Sequence, residues 1–232
     1  MATYNESIVE SANATAAFTG KSRTGLALHH LLAAARFTAR IGVVERENAG
    51  QPFGDFWEEI LQHSLAVATL SVACVECYAN ELFFEQSAIT PHLNPVAARV
   101  IAESLDRDPI LRRYAAVYAI RTGKDLDLGA AEIQDMDRLI RLRNAVVHFK
   151  PEWFEEQNRH AKVSRQLHYR FEGSPFLPGE RLFPKAWASH SFAVWALRST
   201  VGFLDYFYGQ IRQPCPLAPF RARLTTLSGG VV

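Results

Sequence analysis

Apolar residues recur at helical spacing through most of this 232-residue chain, and nowhere do they alternate with polar ones for more than a few positions. The longest pattern predicts a helix from about Phe53 to Gln86. In it, Leu61, Leu65, Ala68, Val72, Val75, Ala79 and Leu82 follow one another in alternating steps of four and three, the seam of a bundle helix. Ala and Ser residues between these positions let neighbouring helices approach closely. Before it, Leu26, Leu31, Leu32, Phe37 and Ile41 mark a helix over Thr24–Glu45, broken by E-N-A-G-Q-P. After it, T-P-H-L-N-P ends the run, and Asn94 can cap a further helix with Pro95 at its first position. Asp108-Pro109 repeats that start signal for a segment running to about Arg121.

The loop T-G-K-D-L-D-L-G leads into a helix from about Ala131, whose core-facing side is Leu139, Ile140, Leu142, Val146 and Val147. Pro151 biases Lys150 away from helical geometry, so this helix ends close to His148. A charged, helical stretch and a Pro- and Gly-rich loop (residues 172–184) follow. A last helix spans Lys185–Arg212, with Val194, Leu197, Val201, Leu204, Tyr208 and Ile211 on one stripe. No internal repeat is present. The expected fold is all-α: an up-and-down helical bundle with a long central helix and a helical and loop insertion before the last helix. It occupies residues 23–212, between a flexible tail at 1–22 and a second tail at 213–232.

Composition narrows the function. A hydrophobic share of 48% easily furnishes a core, and a net charge of +1 excludes a strongly basic, histone-like nucleic-acid binder while leaving room for a local basic patch. The start, M-A-T-Y-N-E-S-I-V-E, has neither the charge nor the apolar stretch of a signal peptide, and the uncharged run Ile60–Val75 is short for a membrane span. A cytoplasmic protein without a membrane partner is expected. Cys74, Cys77 and Cys215 make no disulfide framework, and the C-V-E-C pair lies mid-helix without further ligands, which reads as core rather than metal or redox chemistry. HExxH, P-loop, GxGxxG and GxSxG motifs are absent from the sequence.

The chemistry concentrates at D-R-L-I-R-L-R-N-A-V-V-H-F-K-P, residues 137–151. Asn144 and His148, four apart, share one helix face. Arg143 lies well round the helix, with a side chain long enough to reach the same space. A guanidinium that is always charged and an imidazole that titrates near neutrality suit phosphate chemistry. Cations capping a helix C-terminus would explain the same two residues, through an interaction worth about 0.3–1 kcal/mol. Arg138, Arg141 and Lys150 make the stretch locally basic, a track for an RNA backbone or an ordinary solvated face, with Asp135 and Asp137 balancing part of the charge. Trp153, Phe154, Tyr169 and Phe171 are candidates for base stacking or for loop packing. His160 and His168 have no partner pattern. On the long helix, Glu76 is a candidate support for the Arg/His site, and Asn80 reads as a structural residue bonding a loop or the backbone of a neighbouring helix.

Arg143-Asn144-x-x-x-His148 resembles the Rx4-6H signature of the HEPN superfamily, whose active members carry a polar residue, often Asn, directly after the Arg. The bare spacing also fits Arg23 to His29 and Arg141 to His148. The preceding apolar helix, Asn144 and Pro151 supply the context. Ser71–Glu85 looks like the long helix of that family with its Glu-x-x-x-Asn-Glu pattern, and Ser189–Phe207 looks like its closing helix. The resemblance covers roughly residues 24–212, apart from the loop at 172–186. It implies a metal- and cofactor-free endoribonuclease working as a homodimer, with Arg and His from both chains facing one cleft. A toxin or phage-defence role would add an antitoxin or defence-system partner protein. Attack by an RNA 2′-OH needs a base, an acid and positive charge on the phosphorane. His148, Arg143 and Asn144 have those properties, and a two-chain cleft would supply two imidazoles. Two other readings keep the fold: a non-catalytic module binding RNA, nucleotides or protein, and a purely structural dimerisation domain.

Overall fold

A computed structural model describes residues 25–84, 93–153, 159–178, 183–185 and 187–232. The N-terminal tail and Phe154 lie outside the described residues. Those described form eight α-helices and no strand, an all-α bundle as expected. In chain order these are α1 (Ala27–Glu47), α2 (Phe56–Phe84), α3 (Pro95–Leu105), α4 (Ile110–Thr122), α5 (Ala131–Val147), α6 (Arg159–Leu167), α7 (His190–Gln210) and α8 (Arg221–Leu227).

Local chemistry sets several of the boundaries. Asn94 Oδ1 accepts the Val96 and Ala97 amides at 2.8 and 3.2 Å, and Pro95 opens α3 where its missing N–H costs nothing. The second start signal, Asp108-Pro109, works differently. Pro109 is itself the cap residue of α4, and Asp108 instead pairs with Arg112 at 3.2 Å. Gly123, at φ +68°, closes α4 in the left-handed region with its N–H on the Ala119 carbonyl at 2.8 Å. α7 begins at His190, five residues after the expected start, because Ser189 Oγ takes the Phe192 amide there.

α2 packs against α1, α3, α4, α5 and α7. Five partners require more than one seam. Beside the predicted row runs a second, Ile60, Ser64, Val67, Ser71, Cys74 and Tyr78, again in steps of four and three and buried throughout. Its serines hide it from a reading of apolar residues alone, and the first two positions of the predicted row, Leu61 and Leu65, are only partly buried. α7 is buried nearly all round, far beyond the single stripe anticipated. Tyr114 of α4 locks the two together. Its ring meets Phe203 and Phe207 edge-on at 4.8 and 4.6 Å, and its hydroxyl donates to the Val75 carbonyl at 2.8 Å. α1 approaches α7 closely at Gly42, where a Cβ would stand 2.9 Å from the His190 ring.

Two expectations are corrected. Leu26 is 53% exposed, because it lies one residue before α1 rather than on its inner face. Residues from Gln213 onward are not a loose tail. They include α8, which packs on α1, and Leu217 and Leu224 are fully buried. By length and hydropathy alone, Phe56–Phe83 could cross a membrane, but those same apolar residues are what the central helix of this bundle packs against its neighbours.

Candidate functional site at the end of helix α5

α5 ends where it was expected to, with His148 as its C-cap residue and the His148 amide on the Asn144 carbonyl at 3.0 Å. Ile133, Met136, Leu139 and Leu142 are its buried side. The opposite face carries Asp137, Arg141, Asn144 and His148, again in steps of four, three and four. Asn144 and His148 are exposed and make no side-chain hydrogen bond among the described residues. Arg141, also exposed, pairs with Asp137 at 2.7 Å. Close by in the chain are exposed apolar side chains, Val147 at 52%, Phe149 at 47% and Trp153 at 78%. Lys150 is exposed beside them.

Arg143 goes elsewhere. At about 100° per residue it sits about 140° round the helix from His148, on the inward side. Its Nη2 donates to Glu76 Oε2 of α2 at 3.2 Å, and its Nε is buried without a hydrogen-bond partner among the described residues. Glu76 thus supports Arg143 directly. The same carboxylate faces a second guanidinium, with Arg113 Nη2 of α4 lying 3.8 Å from its Oε1. Arg113 is 4% exposed and also donates from Nη1 to Asn80 Oδ1. Asn80 is structural, then, but its partner is a side chain rather than backbone. Arg138 is held by Asp135 at 2.8 Å, and Arg170 shares that carboxylate at 3.5 Å.

The structure therefore gathers Arg141, Asn144 and His148 on one open face, and Arg143 with Glu76, Arg113 and Asn80 beneath it. Sequence reading missed Arg113. It occupies the second position of an apolar i, i+3, i+4, i+7 stripe with Ile110, Tyr114 and Val117, and a charge in such a stripe is the signal that was available.

Of the remaining candidates, His160 and Phe171 are packed, while Trp153 and Tyr169 stay exposed. His160 is buried between Phe149 and Phe183, with ring centroids at 4.8 and 4.7 Å, and its Nδ1 lies 3.3 Å from Glu152 Oε2. This stack ties α6 to the segment after α5. Phe171 packs on Phe192 and Trp195 rather than facing solvent. Tyr169 is 92% exposed and contacts His168. Burial pushes the thiols of Cys74 and Cys77 up and that of Cys215 to about 11, which keeps them protonated and poor as nucleophiles or ligands. No cluster able to hold a metal occurs among the described residues.

Comparison with protein-family models, with curated proteins and with solved structures finds no match.

Proposed function

We propose that the chain is a HEPN-like endoribonuclease, acting as a homodimer in a cytoplasmic setting. The observation that carries this reading is the open stripe of Arg141, Asn144 and His148, whose Asn and His have no intramolecular side-chain partners among the described residues, with exposed apolar residues close by in the chain. A second copy seated on Val147, Phe149 and Trp153 would bring two such stripes together. One His148 then takes the proton of the RNA 2′-OH as its oxygen attacks the adjacent phosphorus. The other donates a proton to the departing 5′-oxygen. The products are a 2′,3′-cyclic phosphate and a 5′-hydroxyl, with no metal or cofactor in the step. Arginine charge stabilises the phosphorane, and Arg141 is the guanidinium on the face of His148, with Arg143 beneath it. Lys150 and Arg138 extend the positive border, and a toxin or phage-defence role with a dedicated partner protein fits such an activity.

The engagement of Arg143 by Glu76 favours a second reading, a helical module that binds RNA or nucleotides without cleaving. RNA cleavage by purified protein in EDTA separates the two. His148→Ala is expected to lower the rate by about a hundredfold or more, with folding and dimerisation unchanged, and Arg141→Ala and Arg143→Ala to show which guanidinium the reaction uses. Cleavage that survives in His148→Ala would overturn the nuclease reading. RNA binding without cleavage by the wild type, lost in the variants, would establish the binding module.

A further inference from the structure

The Glu76 network has a charge imbalance that its own residues do not resolve. Two guanidiniums, Arg113 and Arg143, share the single carboxylate of Glu76, and their remaining side-chain partner, Asn80, is neutral. The Nε atoms of both arginines are buried and lack hydrogen-bond partners among the described residues. A buried N–H left unpaired is costly, and a buried cation without full compensation is more so. Such a pair invites an external anion.

There is room for one. A groove of about 670 Å³ lies between α2, α3 and α4, lined by Asn80, Phe83, Arg99, Glu103, Arg107 and Arg113 among others. Arg113 lines it while being 4% exposed, whereas Arg99 and Arg107 stand exposed and unpaired among the described residues. With Glu103 and Asp106 also present, the groove and the network beneath it hold four guanidiniums against three carboxylates. The surplus is small and local. It suits a compact anion at the Arg113 end better than a long polyanion laid past both rim carboxylates.

We propose that this groove is a phosphate-binding site, taking one phosphate or pyrophosphate group. Arg113 and the two rim arginines would hold its oxygens, and Phe83 offers an apolar surface to whatever carries it. Guanidinium is the side chain suited to this, since its planar fork donates to two phosphate oxygens at once. The group could belong to a free nucleotide or to the phosphorylated end of an RNA. The proposal does not rest on the nuclease reading, because the groove's lining residues do not include Asn144 or His148.

Titration calorimetry and thermal denaturation of the full chain with inorganic pyrophosphate test it. Pyrophosphate is expected to bind and to raise the Tm. The double variant Arg99→Gln/Arg107→Gln, altered only at exposed positions, should bind about tenfold more weakly. Arg113→Lys should weaken binding further, and if it fails to fold the rim variant decides alone. His148→Ala should bind pyrophosphate as the wild type does, so a failed RNA-cleavage assay leaves this result standing. ATP binding more tightly than pyrophosphate would identify a free nucleotide as the source. A 5′-phosphorylated oligonucleotide preferred over its 5′-hydroxyl form would identify an RNA end. Absence of pyrophosphate binding, or unchanged affinity in the rim double variant, would overturn the proposal.

Discussion

The first turn of α7 and the last turn of α5 are both helix ends resting on the same core, and they are finished in opposite ways. At α7, Ser189 Oγ accepts the Phe192 amide at 3.1 Å, and Glu45 of α1 accepts the His190 amide at 2.7 Å. Burial raises the Glu45 carboxyl above its ordinary range, and the amide bond from His190 works against that shift. Burial also lowers the His190 imidazole, helped by nearby Arg46, so it favours the neutral form. Each group there is explained by folding. At α5, polar side chains of equal capacity, Asn144 and His148, are left in solvent with apolar neighbours exposed beside them. Helix ends leave backbone groups to be satisfied, and a chain that finishes one end so fully does not leave the other open for want of polar residues. The difference is that the start of α7 is closed by contacts within the fold, whereas the end of α5 leaves its polar and apolar side chains facing solvent.

That comparison can be broken at several points. The largest effect is expected on the α7 side. Phe207→Ala, removing a fully buried ring that Tyr114 packs against edge-on, should cost about 3–5 kcal/mol in denaturant unfolding. A loss under about 1 kcal/mol would mean the site collapses freely and α7 is not the rigid centre described. Next comes the ion-pair network that holds Arg143 of α5 to α2 and α4. Glu76→Ala strands Arg113 and Arg143 without a carboxylate, and because Glu76 is 43% exposed the expected loss is about 1–2 kcal/mol. Unchanged stability would show that solvent already compensates both guanidiniums.

Ser189→Ala removes the amide cap of α7 and the bond its hydroxyl donates to the Glu172 carbonyl at 2.9 Å, and should cost about 1–2 kcal/mol, read as a lower denaturation midpoint at unchanged slope. The smallest effect belongs to α5. His148→Ala and Asn144→Ala should each shift stability by no more than about 0.5 kcal/mol. A clear destabilisation there would make these residues part of the fold and remove the contrast.

How much could be read in advance depends on the kind of residue. The Asn94-Pro95 start and the end of α5 before Pro151 were legible because caps and prolines act within a few residues. The seam from Ala68 to Leu82 was legible because each of its positions is apolar or small. Its companion row was not, since Ser64 and Ser71 look solvent-facing until two helices close over them. Glu76 was recognised as a support but Arg113 was not, because an ion pair across 37 residues leaves no mark on local spacing. Leu217 and Leu224 were missed for a related reason. A seven-residue helix after three prolines carries too few turns to show a period, and its apolar side chains matter only because α1 is there to receive them.

The sequence by itself determined the all-α class, the termini of the helices that carry their own punctuation, and the grouping of Asn144 with His148 on one face. These follow from the periodicity of the α-helix and from short-range hydrogen bonding, which depend only on near neighbours. Tertiary structure alone decided that Arg143 turns inward to Glu76 and that Arg113 joins it from α4. Long side chains can point in several directions, and their choice is made by which distant carboxylate the packing of α2, α4 and α5 brings within reach.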